Sequence, residues 1–291
     1  MLRVEHLEKT YGEGGGAVQA IGDLSFEVRE KEFVCVVGPS GCGKTTLLKC
    51  MSGLVGPTSG DIYLHDQPIH GPPEKMALVF QEYSRSLFPW MTVRQNVAFP
   101  LRRKALDRAE AGRLVESAVD SVRLGGSLDR YPWELSGGMQ QRVAIARALA
   151  YQPEIMLMDE PFASVDAQTR ADLEDLILEV RRQYGVTVVF VTHDIDESVY
   201  LGDRIVVLRP APTSVQEVLE VDLPEPRDQV ETKELSQFAH LRAHVFRLIK
   251  GKKQRRSDPG AEVRAGAGRA ERGVPEARSV EPGAPAQAPR R

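Results

Sequence analysis

The chain has 291 residues, 42% of them hydrophobic, enough to bury a core as one large domain or two small ones. Its formal net charge of -3 offers no global positive field for nucleic acid. No apolar run approaches the roughly 18 residues of a membrane-spanning helix, and the opening MLRVEHLEKTYG lacks the charged-then-apolar layout of a secretory signal. The chain is therefore expected to be soluble and to reach any membrane through partners. Its three cysteines, Cys35, Cys42 and Cys50, are an odd number and fit free thiols in a reducing cytosol.

In chain order, LRVEHLEKTY and LSFEV alternate as strands, separated by the flexible EGGGA insert at 13–17. The buried-strand run FVCVVG leads into a Gly-rich turn and then the apolar-periodic helix KTTLLKCMSGL. GDIYLHD reads as a short strand, and residues 92–131 read mainly as helix. IMLMD and VTVVFVTH are apolar strands. Between them a helix places Leu173, Leu176, Ile177 and Val180 on one face, the stripe of a core-facing helix. RIVVLRP reads as the last strand, and a helical segment at roughly 231–250 carries Leu235, Phe238, Leu241, Val245 and Leu248. Strands alternating with amphipathic helices predict an α/β fold whose core sheet is mainly parallel and covered on both faces.

Residues 251–291 turn to Ala, Gly, Pro, Arg and Glu, with a basic excess and no aromatic residue. Such a segment buries too little apolar area to offset its ordering entropy, so a disordered tail is expected. The plain reading is a solvated tail; contact with anionic lipid headgroups is the alternative.

Residues 38–46, GPSGCGKTT, match the phosphate-loop pattern G-x-x-x-x-G-K-[ST] and sit between a strand and a helix, as the mechanism requires. Gly38, Gly41 and Gly43, with Pro39, Ser40 and Cys42 between them, let the backbone curl so that N–H groups point at phosphate oxygens. The helix starting near Lys44 adds its positive dipole end. Lys44 supplies a charge for the outer phosphates, and Thr45, followed by Thr46, offers a hydroxyl to Mg²⁺. This pattern predicts a nucleoside triphosphate site, which alone fits a kinase, a GTPase or a helicase equally well.

Two further motifs narrow the choice. In LSGGMQQR (135–142), Ser136, Gly137 and Gly138 open the helix GMQQRVAIARALA, a second anion-binding device whose plain reading is an ordinary N-cap. In IMLMDEP (155–161), four apolar residues deliver Asp159 to a buried strand's carboxyl end beside the phosphate loop, placed to hold Mg²⁺ through water. Glu160 follows it and would polarise the attacking water as general base; adjacent carboxylates at a strand end are often merely solvated, but these follow a buried strand.

In this order and spacing the motifs resemble the ATP-hydrolysing subunits of ABC (ATP-binding cassette) transporters. LSGGMQQR is similar to the family signature LSGGQ, with Met139 and Gln140 where the common form has Gln next. The resemblance implies further roles. His193 would be the switch histidine touching the γ-phosphate and attacking water. Gln81 in VFQE would sense Mg²⁺ and water and link to the membrane partner. Asp166 in ASVD matches the D-loop, although Ser164-Val165 departs from the usual SALD, and Tyr11 matches the aromatic that stacks on adenine.

The implied fold is a P-loop NTPase (ABC ATPase) with an N-terminal antiparallel β subdomain and a helical subdomain inserted at about 82–142. The cassette spans 1–222, a helical extension 223–250 and the tail 251–291. The implied partners are a second copy in a head-to-tail ATP-sandwich dimer, permease subunits at the cytoplasmic face of the membrane, and indirectly a solute-binding protein. Ser86, Leu87, Phe88, Pro89 and Trp90 would form an exposed docking patch near the Q-loop, or else Phe88 and Trp90 are ordinary core.

VFQEYSRSLFPWMTVRQNVAFPL and DESVYLGDRIVVLRPAPTSV resemble the importers of nitrate, sulfonate and taurine. Rival readings are an exporter ATPase, a soluble ABC ATPase acting on DNA or ribosomes, and a non-catalytic cassette. The second would need fused cassettes or long coiled coils, and the third would lack Glu160 or His193.

Overall fold

A computed structural model describes residues 1–82 and 86–251. Strand β1 (Leu2–Tyr11) pairs antiparallel with β2 (Val18–Val28), and the EGGGA insert between them contains a short 3-10 turn at Gly14–Gly16. On its other side β1 pairs with β4 (Ser59–Leu64), and the two-residue β5 (Gln67–Pro68) completes a four-stranded antiparallel sheet.

The second sheet has six strands in the order β10 (Val215–Glu220), β9 (Arg204–Leu208), β3 (Phe33–Val37), β8 (Thr187–Thr192), β7 (Ile155–Asp159) and β6 (Met76–Val79). All pairings are parallel except β9 with β10. Two strands of this sheet were not expected from sequence. RIVVLRP does not close the sheet, because β10 folds back antiparallel on β9, and β6 forms the opposite edge.

Every residue of β3, β7 and β8 is buried, as mainly apolar strands covered on both faces should be. Alternate side chains feed two cores. Val34, Val36, Leu157 and Val189 face Leu47, Leu48 and Met51 of α1 (Lys44–Met51) and the antiparallel sheet. Cys35, Val37, Met158 and Phe190 face the larger core built from the remaining helices. At about 25 cal/mol per Å² of apolar surface, this double burial is the main force holding the three site-bearing strands in fixed register.

Between β6 and β7 lie α2 (Val93–Ala98), a 3-10 turn at Phe99–Arg103, α3 (Arg108–Ser121) and α4 (Gly137–Ala150). Helix α5 (Ala167–Tyr184) buries Leu173, Leu176, Ile177 and Val180 completely, as its periodicity predicts. Asp166 caps its start and Gly185 ends it in a left-handed conformation. Helix α6 (Ile195–Leu201) follows β8, and α7 (Glu231–Glu234) and α8 (Ser236–Lys250) complete the described chain. Phe238 and Val245 of α8 enter the larger core. The expected tail lies outside the described residues beyond Gly251. Among the described residues no helix is long and apolar enough to cross a membrane.

Candidate active site

Register brings the chemistry to one edge. Val37 of β3 lies opposite Thr192 of β8, and Val191 opposite Asp159 of β7. The phosphate loop, His193 and the Asp159-Glu160 pair therefore leave adjacent strands at the same carboxyl ends, the ligand-binding edge of a parallel sheet.

The loop itself is shaped by glycine. Gly43 caps α1 at φ 101°, and a Cβ there would stand 3.0 Å from the Ala20 carbonyl oxygen. Cys42 N–H donates to the Pro39 carbonyl (3.2 Å), closing the curl, while Ser40 and Gly41 face solvent. The buried Lys44 ammonium turns back on the loop, donating to the carbonyls of Gly38 (3.0 Å) and Pro39 (3.2 Å). It also stands 3.8 Å from Glu160. Thr45 is exposed and Thr46 half-buried. Cys42 sits beneath the loop, where burial pushes its thiol above the usual range. All three cysteines are buried and free.

Glu160 is the hub. Its Oε2 lies 2.9 Å from His193 Nδ1 and accepts from Gln81 Nε2 at 3.4 Å, so the three residues proposed from sequence as catalytic share one carboxylate. The Glu160 backbone is left-handed, at φ 41°. A non-glycine residue held there carries strain of order 1–3 kcal/mol, of a kind that clusters where a side chain must be aimed. Its N–H donates to the Val191 carbonyl (2.8 Å), which holds the turn against β8.

Asp159 is buried, and burial raises its pKa, while a hydrogen bond from Thr45 pulls it back down. One of its oxygens, Oδ1, has no hydrogen-bond partner. A buried carboxylate oxygen left open beside the Thr45 hydroxyl is a hard oxygen-donor pair that fits Mg²⁺. No group of three or more His, Cys, Asp or Glu among the described residues would hold a metal by itself. Mg²⁺ is ordinarily held by one or two carboxylates together with substrate phosphates.

Among the described residues, no hydrogen bond or ion pair joins the other sequence-predicted residues to this cluster. Ser136 caps α4, accepting from Met139 N–H at 3.3 Å, and Ser136 and Gly137 are exposed. Gly138 is buried, and a Cβ there would lie 2.4 Å from Thr169 Cγ2. No hydrogen bond or ion pair among the described residues joins 136–138 to the phosphate loop. Asp166 spends its carboxylate on Thr169, accepting from the backbone N–H (3.0 Å) and the hydroxyl (2.7 Å), which lowers its pKa. Tyr11 ends β1 opposite Val18, 42% exposed, with the Lys9 ammonium 5.2 Å from its ring centre. It shares a sheet end with Ala20, whose carbonyl borders Gly43.

Comparison with known proteins agrees with this geometry. A profile described as ABC transporter matches residues 21–163. The aliphatic sulfonates import ATP-binding protein of Bacillus licheniformis is 46% identical over 78% of this chain and 88% of its own length. The chain belongs to the ABC transporter family. It is an ATP-binding subunit of that family and an ATPase. The nitrate import ATP-binding protein of Synechococcus elongatus is 42% identical over 88% of this ABC ATPase, which spans only 39% of that longer relative. A solved dimeric ATP-binding cassette in a post-hydrolysis state, bound to ADP and Pi, superposes with a TM-score of 0.66 at 31% identity. The match covers 76% of this chain and 99% of that one.

Two groups around the ABC ATPase site were not anticipated. Arg147 of α4 donates to the Ser86 carbonyl (2.6 Å) and hydroxyl (2.9 Å), tying the signature helix to the segment after Gln81. Arg170 of α5 pairs with Asp194 (3.1 Å) and approaches Glu197 (3.6 Å), while Glu197 accepts from Thr192 at 2.5 Å. That chain runs from Asp166, whose carbonyl accepts from Arg170 N–H, to the residue before His193. The available signal was spacing: Arg170 follows Asp166 by one helical turn, and Glu197 stands in the same relation to His193. The expected docking patch is also corrected in part. Leu87 is buried in the larger core, Phe88 is half-buried, and Trp90 is 67% exposed.

Proposed function

We propose that this ABC ATPase powers a membrane importer for a small solute of the nitrate, sulfonate or taurine type, from the cytoplasmic face of the membrane. The observation that carries the catalytic part is the shared carboxylate of Glu160, contacted by His193, Gln81 and Lys44 beside the half-satisfied Asp159. In this reading the amides of residues 38–46 receive the phosphates of ATP, and Lys44 turns from the loop carbonyls to the outer phosphates. Tyr11 stacks on adenine. Asp159, Thr45 and Gln81 would hold Mg²⁺, which would neutralise phosphate charge when bound. Glu160 accepts the proton of the attacking water, and His193 orients that water against the γ-phosphate.

Ser136, Gly137 and Gly138 complete the site in a second copy of the chain, packed head to tail, with Asp166 at the same boundary. Supporting this are the exposure of Ser136 and Gly137 at the start of α4 and, among the described residues, the lack of any bond from 136–138 to their own phosphate loop. ATP then favours a closed pair, and hydrolysis releases it.

Permease subunits dock in the groove of about 1110 Å³ whose lining includes Phe88, Phe99, Pro100, Arg147 and Tyr151. Phe88 packs on Phe99 at 4.5 Å and on Trp90 at 5.6 Å between ring centres, leaving an apolar rim open to solvent. The printed names of the sulfonate and nitrate relatives support import, and a solute-binding protein would then deliver the solute. Affinity purification from detergent-solubilised membranes tests the reading. A permease should accompany the chain, and Phe99→Glu should lose it while keeping basal ATP hydrolysis. Recovery without any membrane subunit, or with ribosomes or DNA, would contradict the proposal.

A further inference from the structure

An aromatic platform stands in front of the signature helix. Trp133 is 64% exposed and lies flat on Tyr131, with ring centres 4.5 Å apart and planes 8° from parallel. The pair is held rigidly. Tyr131 N–H donates to the Glu134 carboxylate (2.7 Å), Glu134 N–H returns to the Tyr131 carbonyl (3.0 Å), and Pro132 between them is buried. Gln140, one turn into α4, donates its amide to the carbonyls of Pro132 (3.0 Å) and Leu135 (3.2 Å). Platform and signature helix therefore move as one body, and Ser136 follows Trp133 by three residues.

A large, pre-stacked, exposed tryptophan on a rigid turn has the character of an interface anchor, since it offers apolar area with little side-chain entropy left to lose. We propose that Trp133 packs against a second copy of this chain, on the face carrying that copy's phosphate loop and Tyr11, and is buried when ATP joins the two. The second copy is the occupant because Ser136 and Gly137, exposed on the same rigid body and only three residues on, are the residues that meet that copy in the shared site. This rests on the shared-site reading above. It adds that affinity within the pair comes from an aromatic anchor as well as from phosphate.

The chain has two tryptophans, so Trp90→Phe leaves Trp133 as the sole indole reporter. In a Trp90→Phe, Glu160→Gln protein, acrylamide quenching and emission wavelength are followed with light scattering as Mg-ATP is added. Quenching should fall and emission shift to the blue in step with dimer formation. Trp133→Ala should raise the ATP concentration for half-maximal dimer about tenfold, as expected for loss of one aromatic stacking contact, and Trp133→Phe should recover most of it. A dimer in which Trp133 stays as quenchable as in the monomer overturns this proposal and leaves the shared site standing. ATP binding with no dimer at all overturns the shared-site reading and this proposal with it. Protection seen only when a permease is added assigns the platform to the membrane partner, contrary to the proposal.

Discussion

Gly138→Ala separates two reasons for a glycine in the signature. The added Cβ would stand 2.4 Å from Thr169 Cγ2, about an ångström inside ordinary contact. Thr169 cannot simply rotate away, because its hydroxyl is bonded to Asp166 at 2.7 Å and that bond, worth about 1 kcal/mol, would be lost. Overpacking of this size costs roughly 1–3 kcal/mol, while alanine's better helix propensity returns up to about 1. The net expectation is a loss of about 1–2 kcal/mol, or roughly 2–4 °C in Tm for each kcal/mol. Thr169→Ser removes only the clashing methyl and keeps the hydroxyl bond. In that background Gly138→Ala should be neutral or slightly stabilising. Thermal melts of the four proteins in the cycle decide it. An equal loss with serine at 169 would refute the idea that the close approach of α4 to α5 is what requires glycine.

Tyr11→Ala should raise KM for ATP about tenfold, a stacking loss of roughly 1–3 kcal/mol, with kcat within a few-fold; unchanged nucleotide affinity would move adenine stacking to another residue. Glu197→Gln should stabilise the protein increasingly as pH rises. Burial lifts the Glu197 pKa from its ordinary 4.5 to about 7, opposed by the Thr192 hydrogen bond and assisted by Asp194 and Glu174. The unfolded chain therefore ionises first, and wild-type stability falls from near pH 4.5 until the folded group ionises near 7, by up to about 3 kcal/mol. Melts at intervals from pH 5 to pH 8 should show the mutant's advantage growing and then levelling.

The local signals in the sequence were enough for the phosphate loop, the strand bearing Asp159 and the stripe on α5, because each is set by residues close together in the chain. Strands β6 and β10 were not legible. β6 is a four-residue edge strand, and β10 is a half-exposed edge with three charged or amide residues, so neither carries a strong period of its own. Their pairing is decided by distant partners. The same holds around the site: Arg147 reaches Ser86 across 61 residues, and Arg170 reaches Asp194 across 24. Gly138 was read as a nucleotide contact, yet its most direct demand in the fold is room for Thr169, a contact no spacing rule reveals. Leu87 went into the core because Phe88 is pinned beside it, its N–H donating to Asn96 at 2.8 Å.

Glu160→Gln tests the central claim, that Glu160 is the base of an ATP site completed by a second copy. Glutamine keeps size and hydrogen-bonding capacity but accepts no proton, so hydrolysis should slow by roughly 10²-fold or more. Binding should persist through the loop amides, Lys44 and Thr45. Sizing the purified variant at high protein concentration, with and without Mg-ATP and alongside phosphate release, should reveal a stable dimer that retains uncleaved ATP. Lys44→Ala should bind weakly and stay monomeric. Full hydrolysis by Glu160→Gln, or a monomer that holds ATP intact, would contradict the account.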